Sequence, residues 1–303
     1  MKRVVSVSIG SSARDHSVEL EALGQKILVQ RIGTDGDINK AIEIIRSLDG
    51  KIDAFGMGGI DLYVYSSTKK RYVIKAALPI YKAAVKTPIV DGSGLKNLME
   101  KRVIYYACHN CGIDIKASKV LLVCAMDRYG MAEAFEELGA DVVYGDAMFA
   151  LGIPLPVKTM RTIKNLASIF MPVVSRLPIE MLYPTGKYQS RQQNKSIFHK
   201  YYYDADIIAG DFLYIKKHMP QRLNGKVIIT NTVTLDDINT LKERGVRMLI
   251  TSTPNIKGRS FGTNVIEAIL ISLLGKMPHQ ATQRHYDMLL KKVGFGHRVE
   301  YLQ

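Results

Sequence analysis

The chain has 303 residues, 47% of them hydrophobic and 23% charged, a globular composition long enough for one large or two ordinary domains without disulfide staples. No run approaches the roughly 18 uninterrupted apolar residues of a membrane span. The apolar run in the opening MKRVVSVSIGSS is too short for a signal peptide, so a cytoplasmic protein is expected. The net charge of +14 is spread along the chain without a basic tail, and no helix-turn-helix, zinc-finger or RNA-binding signature accompanies it. That argues against nucleic acid; the charge alone reads most simply as a solvated surface and does not choose a partner, and an anionic small molecule is expected only on the residues and motifs that follow.

In chain order, strands are predicted over residues 4–9, 27–32, 52–56 and 88–90, with helices over 38–48, 72–86 and 95–106. Further strands follow over 120–125, 141–144, 172–175, 207–209, 227–230 and 248–251, again with helices between them. This alternation predicts an α/β fold of two doubly wound, mainly parallel-sheet domains, the second Rossmann-like. The polar stretch HNCGIDIKASK marks the boundary, which places a substrate domain at 1–115 and a nucleotide-binding domain at 116–303. Helical patterns at 264–274 and 282–292 are positioned to pack back on the first domain, and the Tyr-, Gln- and Lys-rich segment 183–203 is the candidate lid. A homodimer is left open.

The three cysteines, Cys108, Cys111 and Cys124, form no closed disulfide framework. The ACHNCG pair lacks the second ligand pair a zinc site needs, so no metal is expected.

In open parallel sheets the ligand lies beyond the carboxyl ends of the strands. Here those ends are uniformly small, hydroxylated or acidic: Ser11 and Ser12, Gly58 and Gly59, Asp91 and Ser93, and Thr230, Asn231 and Thr232. Any one such loop is explained by turn formation, but their recurrence at nearly every strand end points to a small-molecule cleft.

The stretch VCAMDRYGMAEAFEELGADVVYGD reads strand, turn, helix, strand and acid, the order of a dinucleotide-binding unit. Cys124 and Met126 stand where its first glycines would be, and only Gly130 remains. Met126, Asp127, Arg128, Tyr129 and Gly130 are therefore the candidate cofactor turn, with Asp146 as the ribose acid and Arg128 as a phosphate contact. An acid holding a ribose serves NAD(P) and S-adenosylmethionine alike, and both remain candidates.

The stretches RIGTDGD, DAFGMGGIDLY, TPIVDGSGLKN, YPTGKYQ, AGDF, ITNTVT and TPNIKGRSFGTNVIEA, with the unit above, resemble a bacterial family commonly labelled quinate 5-dehydrogenase, or quinate/shikimate dehydrogenase-like. The resemblance covers nearly the whole chain. It implies an NAD(P)-dependent oxidoreductase acting on a small hydroxylated carboxylic acid, with a Lys–Asp pair in the domain before the cofactor domain. Lys96 and Asp91 are the best placed for that pair, and His16 and Asp61 are further acid/base candidates. Lys257, Arg259 and Ser260, before a helix start, are the candidate anion site. An S-adenosylmethionine-dependent methyltransferase and a non-catalytic nucleotide or metabolite sensor are the alternative readings.

Overall fold

The computed structural model describes residues 1–67, 70–178, 196–256 and 259–303. Strand β1 (Lys2–Ser8) is central, and its VVSVS run is buried on both sides: Val4 faces one core, Val5 and Val7 the other. The chain turns through β2 (His16–Ala22) into β3 (Gln25–Gly33), which pairs parallel with β1. Helix α1 (Ile38–Leu48), capped by Asp37, carries it across to β4 (Ala54–Gly58) on the other side of β1. A hairpin of β5 (Tyr63–Ser67) and β6 (Lys70–Val73), then the one-turn α2 (Leu78–Tyr81), lead to β7 (Ile89–Val90). The sheet order is β2-β3-β1-β4-β7, with only β2 antiparallel.

Two sequence expectations fail here. No helix spans 72–86, because Tyr72 and Val73 pair with Val64 and Tyr63 in the hairpin. Strand β2, HSVELEA, was not expected, since its glutamates alternate with half-buried residues on an edge strand wetted on one side.

Helix α3 (Ser93–Asn110) belongs to both halves of the molecule. Leu95 and Met99 join the core under the first sheet, while Val103, Ile104 and Ala107 join that under the second. Cys108 and Cys111 lie half-buried at its end as free thiols.

The second sheet collects β8 (Lys119–Leu122), β9 (Asp141–Tyr144), β10 (Ile207–Gly210), β11 (Val227–Thr230) and β12 (Met248–Thr251). Helices α4 (Tyr129–Glu137), α5 (Asp146–Leu151), α6 (Met160–Val174), α7 (His199–Asp204), α8 (Phe212–His218) and α9 (Leu235–Glu243) intervene. The strand expected at 172–175 is instead the end of α6, which accommodates Pro172. Of the candidate lid at 183–203, residues 183–195 lie outside the described residues and the rest form a short 3-10 turn and most of α7.

After the small hairpin β13 (Asn255–Ile256) and β14 (Arg259–Ser260), α10 (Thr263–Leu274) returns to the first sheet and packs on β4 and β1. Val265 to Ser272 are buried without a break, as a helix enclosed by the core requires. Helix α11 (Gln283–Val293) packs on α3, and β15 (Arg298–Tyr301) closes the second sheet antiparallel to β12, in the order β15-β12-β11-β10-β8-β9. The molecule is thus mixed α/β with two mainly parallel sheets. No helix among the described residues is long and apolar enough to cross a membrane.

Gly92, the N-cap of α3, shows how closely the two crossings meet. Its φ is +94°, and a Cβ there would stand 2.7 Å from the Asn264 backbone nitrogen at the start of α10. Gly92→Ala is expected to cost about 2 kcal/mol or more in urea unfolding, from backbone strain and overpacking together. A cost below about 0.5 kcal/mol would show that the α3–α10 junction yields easily.

Candidate functional site

The carboxyl ends of strands from both sheets open on one cavity of about 140 Å³. Gly58 and Gly59 after β4 and Asp91 and Gly92 after β7 line it from the first sheet, and Asn231 and Thr232 after β11 from the second. Arg128, after β8, lies opposite Lys96 of α3, and Gly262, Thr263 and Asn264 bring in the start of α10. Both helix starts have a glycine N-cap, Gly92 and Gly262, and neither has a side-chain cap. At α3 the Ser93 N–H donates to Asp91 at 3.1 Å and the Gly92 and Gly94 N–H groups donate to Glu267, so carboxylates from outside the cap take up this helix start.

Glycine eases the close approach of α10 to the end of β4. A Cβ on Gly56 would lie 3.0 Å from Asn264, and one on Gly58 would lie 3.0 Å from Ser8 and 3.2 Å from Asn264. The Asn264 amide donates to Ser6 Oγ at 2.9 Å, which pins the helix start to the central strand.

The charged residues form one network across the cleft. Lys96 Nζ donates to Asp61 Oδ2 at 3.1 Å and to Asp127 Oδ1 at 2.6 Å, so it ties a loop of the first sheet to a loop of the second. Burial opposes its charge, yet Asp127 and Asp61 hold the ammonium above its usual range. Arg128 donates to Glu100 at 3.1 Å and to Asp211 at 2.6 Å and lies 3.2 Å from Asp127. Burial likewise opposes the Arg128 charge, but Asp127, Asp211 and Glu100 raise its pKa well above normal. Burial would raise Asp127 too, but Arg128 and Lys96 hold it well below the usual carboxylate range. Burial prevails at Asp61 and Glu100, and both carboxyls are pushed up.

Of the candidate acid/base pair, Lys96 lies in the cavity but does not meet Asp91. Asp91 accepts instead from the backbone N–H of Leu62 (2.6 Å), Tyr63 (3.0 Å) and Ser93 (3.1 Å) and from the Ser93 hydroxyl (2.6 Å). It organises the loops at the end of β7. Asp61 is in the cavity beside Lys96. His16 sits apart at the start of β2, its ring centroid 4.6 Å from that of Phe261 and its Nδ1 3.0 Å from the Arg14 carbonyl oxygen. Ser11 caps the turn Ser12–Arg14, and the Ser12 N–H donates to Asp35 at 2.8 Å, so neither lines the cavity.

In the candidate cofactor turn, both oxygens of Asp146 are taken by the turn itself, at 2.9 Å from the Ala125 and Met126 N–H groups. Burial, opposed by those donors, pushes the Asp146 carboxyl up to about 6. Asp127 and Arg128 belong to the charge network, and Tyr129 is buried against α4's own Glu133, its phenol pushed up mainly by burial. Gly130 serves close packing: its N–H donates to Glu100, and a Cβ would lie 2.5 Å from the Asn97 carbonyl oxygen. Thr230 is fully buried and donates to the Gly210 carbonyl at 2.7 Å, while Asn231 donates to Asp211 at 2.7 Å and accepts from the Phe212 N–H at 3.1 Å.

Of the candidate anion site, Lys257 lies outside the described residues, Arg259 and Ser260 form β14, and Ser260 is not among the residues that line the cavity. Glu100 and Asn264 were not singled out by sequence, whereas Asp211 lies in the quoted AGDF stretch at a strand end. Asn264 follows the noted helix start in FGTN, but Glu100 gives no signal within a helical pattern. No cluster of three or more His, Cys, Asp or Glu suited to a metal occurs among the described residues.

No curated protein matches the chain. Similar solved structures include an ABC transporter solute-binding protein from Agrobacterium vitis bound with alpha-D-tagatopyranose (10% identity, 100% of this chain and 95% of that chain, TM-score 0.41). A glucose-galactose binding protein from Geobacillus stearothermophilus is 10% identical over 99% of this chain and 97% of that chain, with a TM-score of 0.40. A periplasmic ribose ABC transporter from Conexibacter woesei is 10% identical over 99% and 92%, with a TM-score of 0.41. Scores of this size transfer no ligand to the chain.

These comparisons correct the resemblance to quinate/shikimate dehydrogenases and the oxidoreductase reading drawn from it, since the proteins they return are solute-binding proteins and families without assigned activity. In the site, Lys96 meets Asp61 and Asp127 rather than Asp91. The methyltransferase alternative is set aside with the oxidoreductase reading. Residues 3–91 match the family described as Domain of unknown function (DUF8753), and residues 94–302 match Domain of unknown function (DUF8754), so the chain belongs to the DUF8754 family.

Proposed function

We propose that the chain reversibly binds a small polar molecule in the cavity between its two sheets and does not transform it. The observation that carries this reading is the cavity itself, built from strand ends of both sheets and two helix starts, with its ionised side chains already locked to one another. A general base needs a lone pair available near neutral pH, and the ammonium of Lys96 is held in the opposite sense. At about 140 Å³ the cavity matches the liquid volume of roughly five waters, which suits a ligand of about one small ring.

We also infer that the second sheet is of the Rossmann-like, doubly wound kind. Its parallel strands run 2-1-3-4-5 when counted from β8, and in that order ligands lie where the order reverses, here between β8 and β10. An adenosine cofactor on the Met126–Gly130 turn, NAD(P) or S-adenosylmethionine, is a separate proposal. Its ribose would have to displace the Ala125 and Met126 N–H groups from Asp146.

Thermal unfolding against a panel of small polar molecules, with NAD, NADP and S-adenosylmethionine included, tests both proposals. A ligand at about 100 times its Kd adds roughly 2.7 kcal/mol and should raise the midpoint by a few degrees. A shift with a small polar molecule supports the cavity reading, and one with a nucleotide supports the cofactor turn. A midpoint unmoved by any compound at millimolar concentration counts against both.

A further inference from the structure

Helix α6 turns Met160, Ile163, Ala167 and Met171 into the protein, a buried stripe at helical spacing. Its opposite face should therefore be polar, and over the first half it is, with Arg161, Thr162 and Asn165 exposed. The second half departs from this pattern. Ile169 is 67% exposed, Phe170 42% and Val173 61%. Residues 169 and 173 lie one turn apart and residue 170 adjoins 173, so the three form one apolar ridge on the outside of the helix.

The ridge stands in a basic setting. Between Asp146 and Glu180 the sequence has no acidic residue and four basic ones, Lys158, Arg161, Lys164 and Arg176. The end of α6 adjoins the first half of the molecule, where the N–H of the exposed Lys75 donates to the Ser175 carbonyl at 2.9 Å. Of the acids on α4, which packs beside α6, Glu133 and Glu137 are taken by Lys101, and Glu136 remains.

Charge and shape separate the occupants that an apolar ridge could take. A second copy of the chain would set basic residues against basic residues. A protein partner needs about 800 Å² of complementary surface on each side, far more than three side chains on a convex ridge provide. A bilayer conforms to such a ridge. We propose that this face of α6 docks on an anionic lipid surface, with the apolar ridge entering the boundary between headgroups and acyl chains and the surrounding Lys and Arg facing the headgroups. The attachment is peripheral, since no helix among the described residues is long and apolar enough to cross a membrane. Each basic residue close to an anionic surface strengthens binding about fivefold, so two are worth about 25-fold at low salt.

The test is flotation of the full chain with vesicles of phosphatidylcholine alone and of equimolar phosphatidylcholine and phosphatidylserine. It is run on the wild type, on the double variant Ile169→Ser and Val173→Ser, which leaves the net charge unchanged, and on the double variant Arg161→Gln and Arg176→Gln. Val85→Ser, at an 80% exposed position off the ridge, is the control. Each variant is first checked for cooperative unfolding, and either double variant keeps the test open if the other does not fold. The expected result is binding to the phosphatidylserine vesicles and not to phosphatidylcholine alone, weakened at least about 10-fold in both double variants and unchanged in Val85→Ser. No binding to either vesicle would overturn the proposal and leave the ridge to a protein partner. Equal binding to both vesicles would overturn the anionic preference on which it rests. Unchanged binding by either folded double variant would also overturn it, in the serine variant because a chain of charge +14 then adsorbs by charge alone.

Discussion

Arg128→Met is expected to lower stability by about 3–5 kcal/mol, the usual cost of removing one partner from a buried ion pair. Glu100, only 2% exposed on α3, accepts from the Arg128 guanidinium and would be left as a buried carboxylate without its cation, as would the largely buried Asp211. Since Arg128 comes from the second sheet and Glu100 from the shared helix, the loss also loosens the seam between the two sheets. Urea unfolding at pH 7 reads the cost directly. At pH 5 the defect should shrink, because Glu100, already pushed up by burial, then takes a proton more readily. Glu100→Gln on the Arg128→Met background should recover part of the loss, with an interaction energy of at least about 1 kcal/mol. A single-variant cost below about 1 kcal/mol would mean that the network is ornamental to stability.

A large pH effect is expected from Glu267. This residue is 3% exposed on α10, accepts from the Tyr286 hydroxyl at 2.7 Å, and lies against the start of α3. Burial, aided by the nearby Asp91 and opposed by Tyr286 and the Gly92 and Gly94 N–H groups, pushes its carboxyl up to about 8. The folded state therefore holds a proton that the unfolded chain releases near pH 4.5. Its contribution is fully present below that pH and is lost as the pH rises through about 8, by an amount on the order of 5 kcal/mol if the whole shift is realised. Asp146, pushed up to about 6, acts in the same direction over a lower range. Glu267→Gln keeps an acceptor for Tyr286 and removes the titration, so its stability between pH 5 and 9 should be flatter than that of the wild type. Parallel profiles for the two proteins would show that Glu267 titrates normally.

The parallel strands were legible in the sequence because a strand buried on both faces reads as an unbroken apolar run, as in the VVSVS of β1 and the four-residue cores of β10, β11 and β12. Strand β2 was not, because its alternating glutamates resemble a surface segment, and the end of α6 was misread because Pro172 sits among valines. The small strand-end residues did mark the cavity, through Gly58, Gly59, Asn231 and Thr232. What the chain order hid was partnership. Lys96 meets Asp127 rather than Asp91, and Asn264 reaches Ser6, 258 positions away, only because α10 crosses back to the first sheet. The acid at the end of β9 had the spacing of a ribose-binding residue, yet Asp146 is consumed by the N–H groups of its own turn. Spacing locates such a carboxylate but does not show which donors reach it first.

If a ligand occupies the cavity between the sheets, a side chain that fills the cavity excludes it. Thr232 lines the cavity while remaining only half-buried, so Thr232→Trp can fill the space without breaking the core. Thermal unfolding of the wild type and this variant should be compared with and without the small polar molecule that binds best. The midpoint should rise by a few degrees for the wild type and not at all for Thr232→Trp. An equal rise in both would place the ligand elsewhere on the protein, outside this cavity.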